Sequence, residues 1–383
     1  MLPRKSIRRW GWPDLRTGLR ANCRAARPVQ ANFVISQCVD LAERATGILG
    51  KSSARKTGDP DLSYMPANLK RSLKNRSKAL LRSAFELGQR FKVDILPRHF
   101  YSEIPDIRLL RNSRQWMEPR SLHGVRSDLD AQVAWVDECT SRFRGSLKRF
   151  EIHQAAIKMN GSDEGYGEVE ADLLYCFVRA HRPAKIVQIG CGVSTAVCLL
   201  AAQDEGYAPR IICIEPYPSE FLLRESQSGR IELLAKTLQD VGSECASWIG
   251  AGDLFFVDSS HTLAPAGEVN LIVLEILPRL APGSYVHFHD IHFPFDYPPD
   301  TLSTALFFHH ETALLYAFLL MNDHFEIVAS LGLLNHRRLG DVQRIFPDMA
   351  PKKFDEGLAL GDGHYPSSIF LRRSAWQPIA PEL

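Results

Sequence analysis

The sequence predicts an α/β fold: a doubly wound, mostly parallel seven-stranded sheet with one antiparallel strand, behind an irregular and helical N-terminal extension. Three observations predict it. A β-branched run, Lys185 to Ile189, breaks at Gly190-Cys191-Gly192 and passes into a helix-like stretch. From residue 167 onward, short apolar runs alternate with helix-length segments, the pattern of parallel strands joined by crossover helices. The last two strand-like runs, 325–330 and 367–372, have no long helix between them, so one of them should join antiparallel.

The N-terminal part reads differently from the rest. Residues 1–92 carry 20 Lys/Arg against 6 Asp/Glu, whereas the remainder carries 26 against 38. A basic region ahead of an acidic body can meet nucleic acid or an anionic membrane. No recognisable nucleic-acid module accompanies it, so a solvated leader is the expectation over 1–75, and nucleic acid is not an expected partner. Ser, Lys, Gly and Pro cluster at 51–62, a linker composition. The first 45 residues are Arg-rich and poor in acids, which also fits a mitochondrial transit peptide. They lack the apolar core of a secretory signal, and no apolar run approaches the ~18 residues that span a bilayer. Eight cysteines occur without a Cys-x-x-Cys pair, which points to a reducing compartment, with no disulfide framework and no zinc knuckle. The expected setting is therefore cytoplasmic.

An extension follows over 76–150. A helix is predicted at 76–87, with Leu80, Leu81, Ala84 and Phe85 on one face and Gly88 placed to end it. Residues 92–125 are aromatic and punctuated by proline, so an extended segment is expected. A second amphipathic helix fits 128–150 through Leu129, Val133, Val136 and Phe143. The main domain then spans 151–373, with a short tail at 374–383. Its predicted elements begin with a helix at 167–181, strand 185–189 and a helix at 194–203. Strand Arg210 to Glu215 turns at Pro216 and Pro218, and a short strand at 231–235 leads to Gln239 and Asp240. Strand Leu254 to Asp258, helix 267–279 and strand Ser284 to Asp290 follow. Helix 310–322 and the two final strands close the domain. No internal repeat is visible.

In a parallel sheet, functional groups gather at the carboxyl ends of strands. Four predicted strand ends carry suitable residues: Gly190 and Gly192; Glu215; Asp258 with His261; and His289, Asp290 and His292. Glycines let a backbone approach a nucleotide-like ligand, and an acid some two dozen residues later can accept ribose hydroxyls. Asp258 and Asp290 offer the oxygen ligands that Mg²⁺ prefers, and a histidine can take a proton near neutral pH. His289 and His292 keep zinc or another transition metal open.

These stations resemble the class I S-adenosylmethionine-dependent methyltransferases over roughly residues 150–373. The resemblance is closest to the catechol- and macrocin-type O-methyltransferases and to bacterial methyltransferases associated with glycan biosynthesis. It is carried by Tyr166-Gly-Glu-Val-Glu170, Gly190-Cys-Gly-Val-Ser-Thr195, Ile214-Glu-Pro-Tyr217, Leu238-Gln-Asp240, Phe256-Val-Asp-Ser-Ser-His261 and His289-Asp-Ile-His292. It implies a Rossmann-like sheet that binds S-adenosylmethionine. Gly190, Gly192 and Ser194 would line the cofactor loop, Glu215 would hold the ribose, and Gln239 and Asp240 would flank the adenine. Asp258 and Asp290 would ligate Mg²⁺ or another divalent cation, and His261 would be the general base. Without a metal, His261 and His289 would act as base and orienter.

Two residues depart from the family pattern. Gln188 stands where Asp or Glu usually pairs with the cofactor's amino group, which leaves Glu168 or Glu170 as candidates for that charge. Ile291 replaces the Asn that follows the second metal acid in catechol-type members, so a third metal ligand is unassigned. The segment 293–299, Phe-Pro-Phe-Asp-Tyr-Pro-Pro, reads equally as an acceptor lid or as a packed surface loop. The expected activity is methylation of a hydroxyl on a sugar, glycan precursor or secondary metabolite. Two rivals are a binding protein on the same fold without catalysis, and a nucleic-acid methylase, for which the Asn-Pro-Pro-Tyr-type motif is missing. A small-molecule or glycan acceptor is the expected partner, and a homo-oligomer is compatible with the sequence.

Overall fold

The computed structural model describes residues 81–94, 96, 102–113, 115–162, 165–298, 301, 308–352 and 363–374. The basic leader, the 51–62 linker and the start of the 76–87 helix lie outside the described residues. The chain divides into two compact units, residues 1–105 and 106–383. In the first, residues 81–90 are helical. Gly88, expected to end this helix, lies buried inside it. The turn that ends the helix comes at Lys92, which takes the positive φ (61°) expected of the glycine.

The second unit is built on seven strands: β1 (Lys185–Ile189), β2 (Arg210–Ile214), β3 (Glu232–Leu234), β4 (Leu254–Val257), β5 (Tyr285–Phe288), β6 (Phe325–Ser330) and β7 (Ile369–Arg373). They form one sheet in the order β3-β2-β1-β4-β5-β7-β6. β1 to β5 pair in parallel, and β7 runs antiparallel to both of its neighbours, β5 and β6. The predicted sheet class therefore stands, with the antiparallel strand placed inside the sheet rather than at its edge.

Both faces are covered, which is why the central strands read as continuous apolar runs. Alternate residues feed two cores. Ile186, Ile211, Leu254 and Phe256 face one side; Val187, Ile212, Phe255 and Val286 face the other. The first core is closed by α1 (Leu129–Ser141), α2 (Glu151–Asn160), α3 (Glu168–His181) and α4 (Val193–Glu205). Two short helices, α5 (Glu220–Gln227) and α6 (Leu238–Val241), flank β3 in sequence. The second core takes Ile272, Val273 and Ile276, which follow α7 (Glu268–Leu271), and Leu315 from α8 (Glu311–Leu319). Between β6 and β7 lie α9 (Leu331–Arg337) and α10 (Leu339–Ile345).

Two predicted helices differ in detail. The single helix expected over 128–150 starts at Asp128, whose carboxylate accepts the Asp130 and Ala131 N–H groups, but it stops at Ser141. Arg149 and Phe150 take φ of 52° and 54°, which no right-handed helix accommodates, and the chain restarts as α2. The 267–279 helix is not uniform. After α7 it widens into a π turn, Ile272–Ile276, and tightens into a 3₁₀ turn, Leu277–Arg279. Pro278, which has no N–H to give, sits in that last turn. No described helix is long and apolar enough to cross a membrane.

Candidate active site

Strand order reverses between β1 and β4: β2 and β3 lie on one side, β5 and its neighbours on the other. The carboxyl ends of two such strands splay around a crevice where ligands of open α/β sheets sit. Here the crevice is bounded by Gly190, after β1, and Asp258, after β4. The two turns touch. Asp258 N–H donates to the Ile189 carbonyl at 2.9 Å, and a β-carbon on Gly190 would stand 2.1 Å from the Asp258 carbonyl oxygen. Gly190 also has φ 73°. Glycine is thus demanded twice at this position, by backbone angle and by close approach. Gly192 is different: its backbone is extended, and an added β-carbon would meet only the Asn160 side chain, at 3.6 Å.

Glu215 reaches the glycine turn from β2. Its Oε2 accepts the Cys191 N–H at 3.3 Å and its Oε1 accepts the Tyr217 N–H at 2.9 Å. A buried carboxylate is thereby held at the mouth of the β1 turn, where a ribose would need an acceptor. Gln188 points the other way, into the packing beneath α4. Its Oε1 accepts the Thr195 hydroxyl at 2.7 Å, and its Nε2 lies 3.5 Å from Ser194 Oγ. The surrounding groups are the Cys198 and Cys213 thiols, and the side chain is fully buried. A neutral amide suits this dry pocket, whereas a carboxylate would pay an unmet desolvation cost.

Asn160, at the end of α2, was not legible as a site residue. Its Nδ2 donates to the Ser162 carbonyl and hydroxyl, while its buried Oδ1 has no hydrogen-bond partner. It lies beside Gly192 with a spare acceptor, and no spacing rule signals it. Glu168 stands in the first turn of α3, half-buried. Glu170 is fully committed elsewhere: His364 Nε2 lies 2.6 Å from its Oε2, and the Ser367 N–H donates to its Oε1 at 2.8 Å. Burial works to raise this carboxyl, but the charge and hydrogen bond of His364 outweigh it and bring it to about 2. Gln239 donates to the Ala266 carbonyl at 3.1 Å, and Asp240 accepts the Thr237 hydroxyl at 2.7 Å in a helix cap. Both are exposed.

Below the glycine turn, the ends of β4 and β5 and the start of α8 bring Asp258, His261, His289, Asp290 and Glu311 together. His261 is the hub. Its Nε2 lies 3.4 Å from Asp258 and 3.5 Å from Asp290, and its Nδ1 lies 2.7 Å from Glu311. Burial disfavours a charged ring here, but the hydrogen bonds to Asp258 and Glu311 and the charge of Asp290 lift its pKa well above the usual value. His289 Nδ1 stands 3.6 Å from Asp258 and 3.7 Å from Asp290, and it has no hydrogen-bond partner. Burial opposes its charge too, yet Asp290 and Asp258 raise it to about 9. The carboxyls move in the opposite sense. Burial would raise Asp258, but His289 and His261 bring it down to about 2, and Asp290 is lowered by the same two rings.

Two neighbouring histidines are shifted the other way, toward the neutral ring. His292 is buried with neither ring nitrogen hydrogen-bonded, and burial lowers it to about 4. The His309 ring centroid lies 4.9 Å from that of His261; burial and the His261 charge lower it to about 4. His261 and Asp290 both have positive φ, 58° and 57°, a conformation non-glycine residues rarely hold without compensation.

The Asp258 and Asp290 side chains are 27% and 32% exposed, so a small ligand can reach them despite the buried rings around them. The chemistry of these two carboxylates suits a hard divalent ion, whereas the neighbouring His289 Nδ1 is a nitrogen of the kind transition metals take once its proton is lost. Among the described residues, no three of these groups are already arranged to hold an ion. The structure thus brings together Gly190, Glu215, Asp258, His261, His289 and Asp290, while Gln188 is turned into the core. Glu311, rather than His289, stands at Nδ1 of His261.

Residues 187–291 match the family model described as a methyltransferase domain. The matched span runs from β1 to the turn after β5 and contains Gly190, Glu215, Asp258, His261 and Asp290. An uncharacterised protein of Archaeoglobus fulgidus is 29% identical over 166 residues, 38% of this chain and 69% of that protein. A solved Podospora anserina methyltransferase bound to SAH is 16% identical with a TM-score of 0.32, covering 71% of this chain and 99% of its own. An O-methyltransferase family protein of Burkholderia thailandensis is 14% identical with a TM-score of 0.29, covering 92% of this chain and 100% of its own. The similarity to a methyltransferase domain thus falls on the parallel part of the sheet, from β1 to the turn after β5.

Proposed function

We propose that this chain is an S-adenosylmethionine-dependent O-methyltransferase whose acceptor is a hydroxyl of a sugar, glycan precursor or secondary metabolite. The observation that carries the reading is the meeting of the Gly190 turn, the Glu215 carboxylate and the Asp258–His261–Asp290 group at one switch point. The Gly190 turn supplies a side-chain-free approach for the cofactor, and Glu215 is oriented by two backbone N–H groups to accept its ribose hydroxyls. The spare Asn160 oxygen beside Gly192 is a further acceptor for the polar end of the cofactor.

A sulfonium methyl is already activated, so the protein's task is to align an oxygen in line with it and remove the oxygen's proton. Bound at Asp258 and Asp290, a divalent cation would polarise the acceptor hydroxyl and offset the carboxylate charge around His261. His261 Nε2 faces the same two carboxylates and is the nitrogen we assign to receive the proton. The half-buried His309, its ring 4.9 Å from that of His261, covers one side of the imidazole.

The test is methyl transfer from methyl-labelled S-adenosylmethionine to a panel of nucleotide sugars and catechols. His261→Ala should lower turnover by about 10²–10⁴-fold with SAH affinity unchanged; unaltered turnover would remove the base role. In the same assay, exhaustive chelation with EDTA should suppress turnover and Mg²⁺ or Mn²⁺ should restore it. Full activity after chelation would rule out the metal part of the reading.

A further inference from the structure

The tether on the far side of His261 carries a further inference. The Glu311 side chain is fully buried at the first turn of α8. Its Oε2 lies 2.7 Å from His261 Nδ1, and its Oε1 accepts the Ser259 hydroxyl at 3.0 Å. Ser259 Oγ accepts the His261 N–H at 3.1 Å. The His310 and Glu311 N–H groups both donate to the His261 carbonyl, at 2.8 and 3.2 Å. Backbone and side chain of His261 are thus fastened to the same turn of the same helix.

This arrangement decides which nitrogen does what. An ionised carboxylate only accepts, so Nδ1 must carry a hydrogen wherever it meets Glu311. That leaves Nε2 as the nitrogen facing Asp258 and Asp290. An imidazole without such a partner can flip and present either nitrogen. The positive φ of His261 is a second sign that its position is imposed by its surroundings. The groups facing the ring from the packed elements are Asp258 after β4, Asp290 and His292 after β5, His309 before α8, and Glu311 in α8.

We propose that Glu311 is a positioning residue that fixes the ring orientation and the Nδ1 hydrogen of His261, so that Nε2 is presented to the acceptor hydroxyl. The proposal rests on the reading of His261 as the base. Glu311 touches no reacting atom and acts through the ring, with Ser259 holding its second oxygen.

The experiment is nitrogen-15 NMR of the full chain with labelled histidines, with His261→Gln used to assign the His261 signals. Wild type should show the Nδ1-bound proton at low field and protected from solvent. In Glu311→Ala that proton should exchange about ten- to a hundredfold faster, as expected for loss of a hydrogen bond to a charged group. In Glu311→Gln, whose amide oxygen can still accept, it should persist but move upfield. Calorimetry with SAH should give unchanged affinity in each variant, which reports an intact fold. If Glu311→Ala fails to fold, the isosteric Gln variant decides alone. A wild-type ring with its hydrogen on Nε2 only, or a low-field proton unmoved in the variants, overturns the proposal. Retained methyl transfer in His261→Gln, with the tether signals behaving as described, would instead sink the base reading and leave the tether standing.

Discussion

A single β-carbon separates the glycine turn from failure. At Gly190 it would meet the Asp258 carbonyl oxygen at 2.1 Å, in a backbone conformation that already disfavours side chains. Gly190→Ala should therefore cost about 2–5 kcal/mol, combining left-handed strain with overpacking. Urea unfolding measures the loss, and a stability equal to wild type would mean that the two turns are not in contact. Gly190 and Glu215 were legible because their chemistry needs particular residue types at strand ends. Glu311 was not: it opens the run Glu311-Thr-Ala-Leu-Leu-Tyr, where an acid reads as an ordinary favourable first-turn residue. Its partner His261 lies fifty residues earlier, a contact only the folded sheet creates. Gln188 looked like a weakened cofactor ligand, and its bonds to Thr195 and the neighbouring thiols became visible only with α4 packed over β1.

At the scale of elements, strands were easier to read than helices. The parallel strands are buried on both faces, so their β-branched runs carry a strong signal, and β1 was predicted with its observed bounds. The 128–150 helix was overextended because Phe143, Leu147 and Phe150 enter the same core whether or not the helix continues. The short helices α9 and α10 escaped notice because neither is longer than two turns. Helix α3 carries a measurable liability. Asp172 is buried with one carboxylate oxygen unpartnered; burial, then Glu168 and Asp348, raises its carboxyl from 3.8 to about 7. The folded state therefore binds this proton more tightly than the unfolded chain. The stability it permits is complete below pH 4, falls as pH rises toward 7, and is lost above that. Asp172→Asn should raise stability at pH 8 by at most about 4 kcal/mol and change little at pH 4. Thermal melts at the two values decide it; equal effects at both would mean that Asp172 does not titrate in this range.

For the whole molecule, the sheet order and the cofactor reading belong together. Placing β1 and β4 side by side opens a crevice at their carboxyl ends, and the chain puts Gly190 and Glu215 on one side of it and Asp258, His261 and Asp290 on the other. The 187–291 span that matches a methyltransferase domain contains all five, whereas Asn160 and Glu311 come from outside it. Those outer residues, on α2 and α8, nonetheless stand beside Gly192 and His261 of the matched span. The central claim is that the crevice holds S-adenosylmethionine, and titration calorimetry with SAH tests it most directly. The account predicts one saturable site in the wild-type chain, with heat lost in Glu215→Ala. No heat of binding from a folded wild-type protein, or equal binding by the variant, would contradict it.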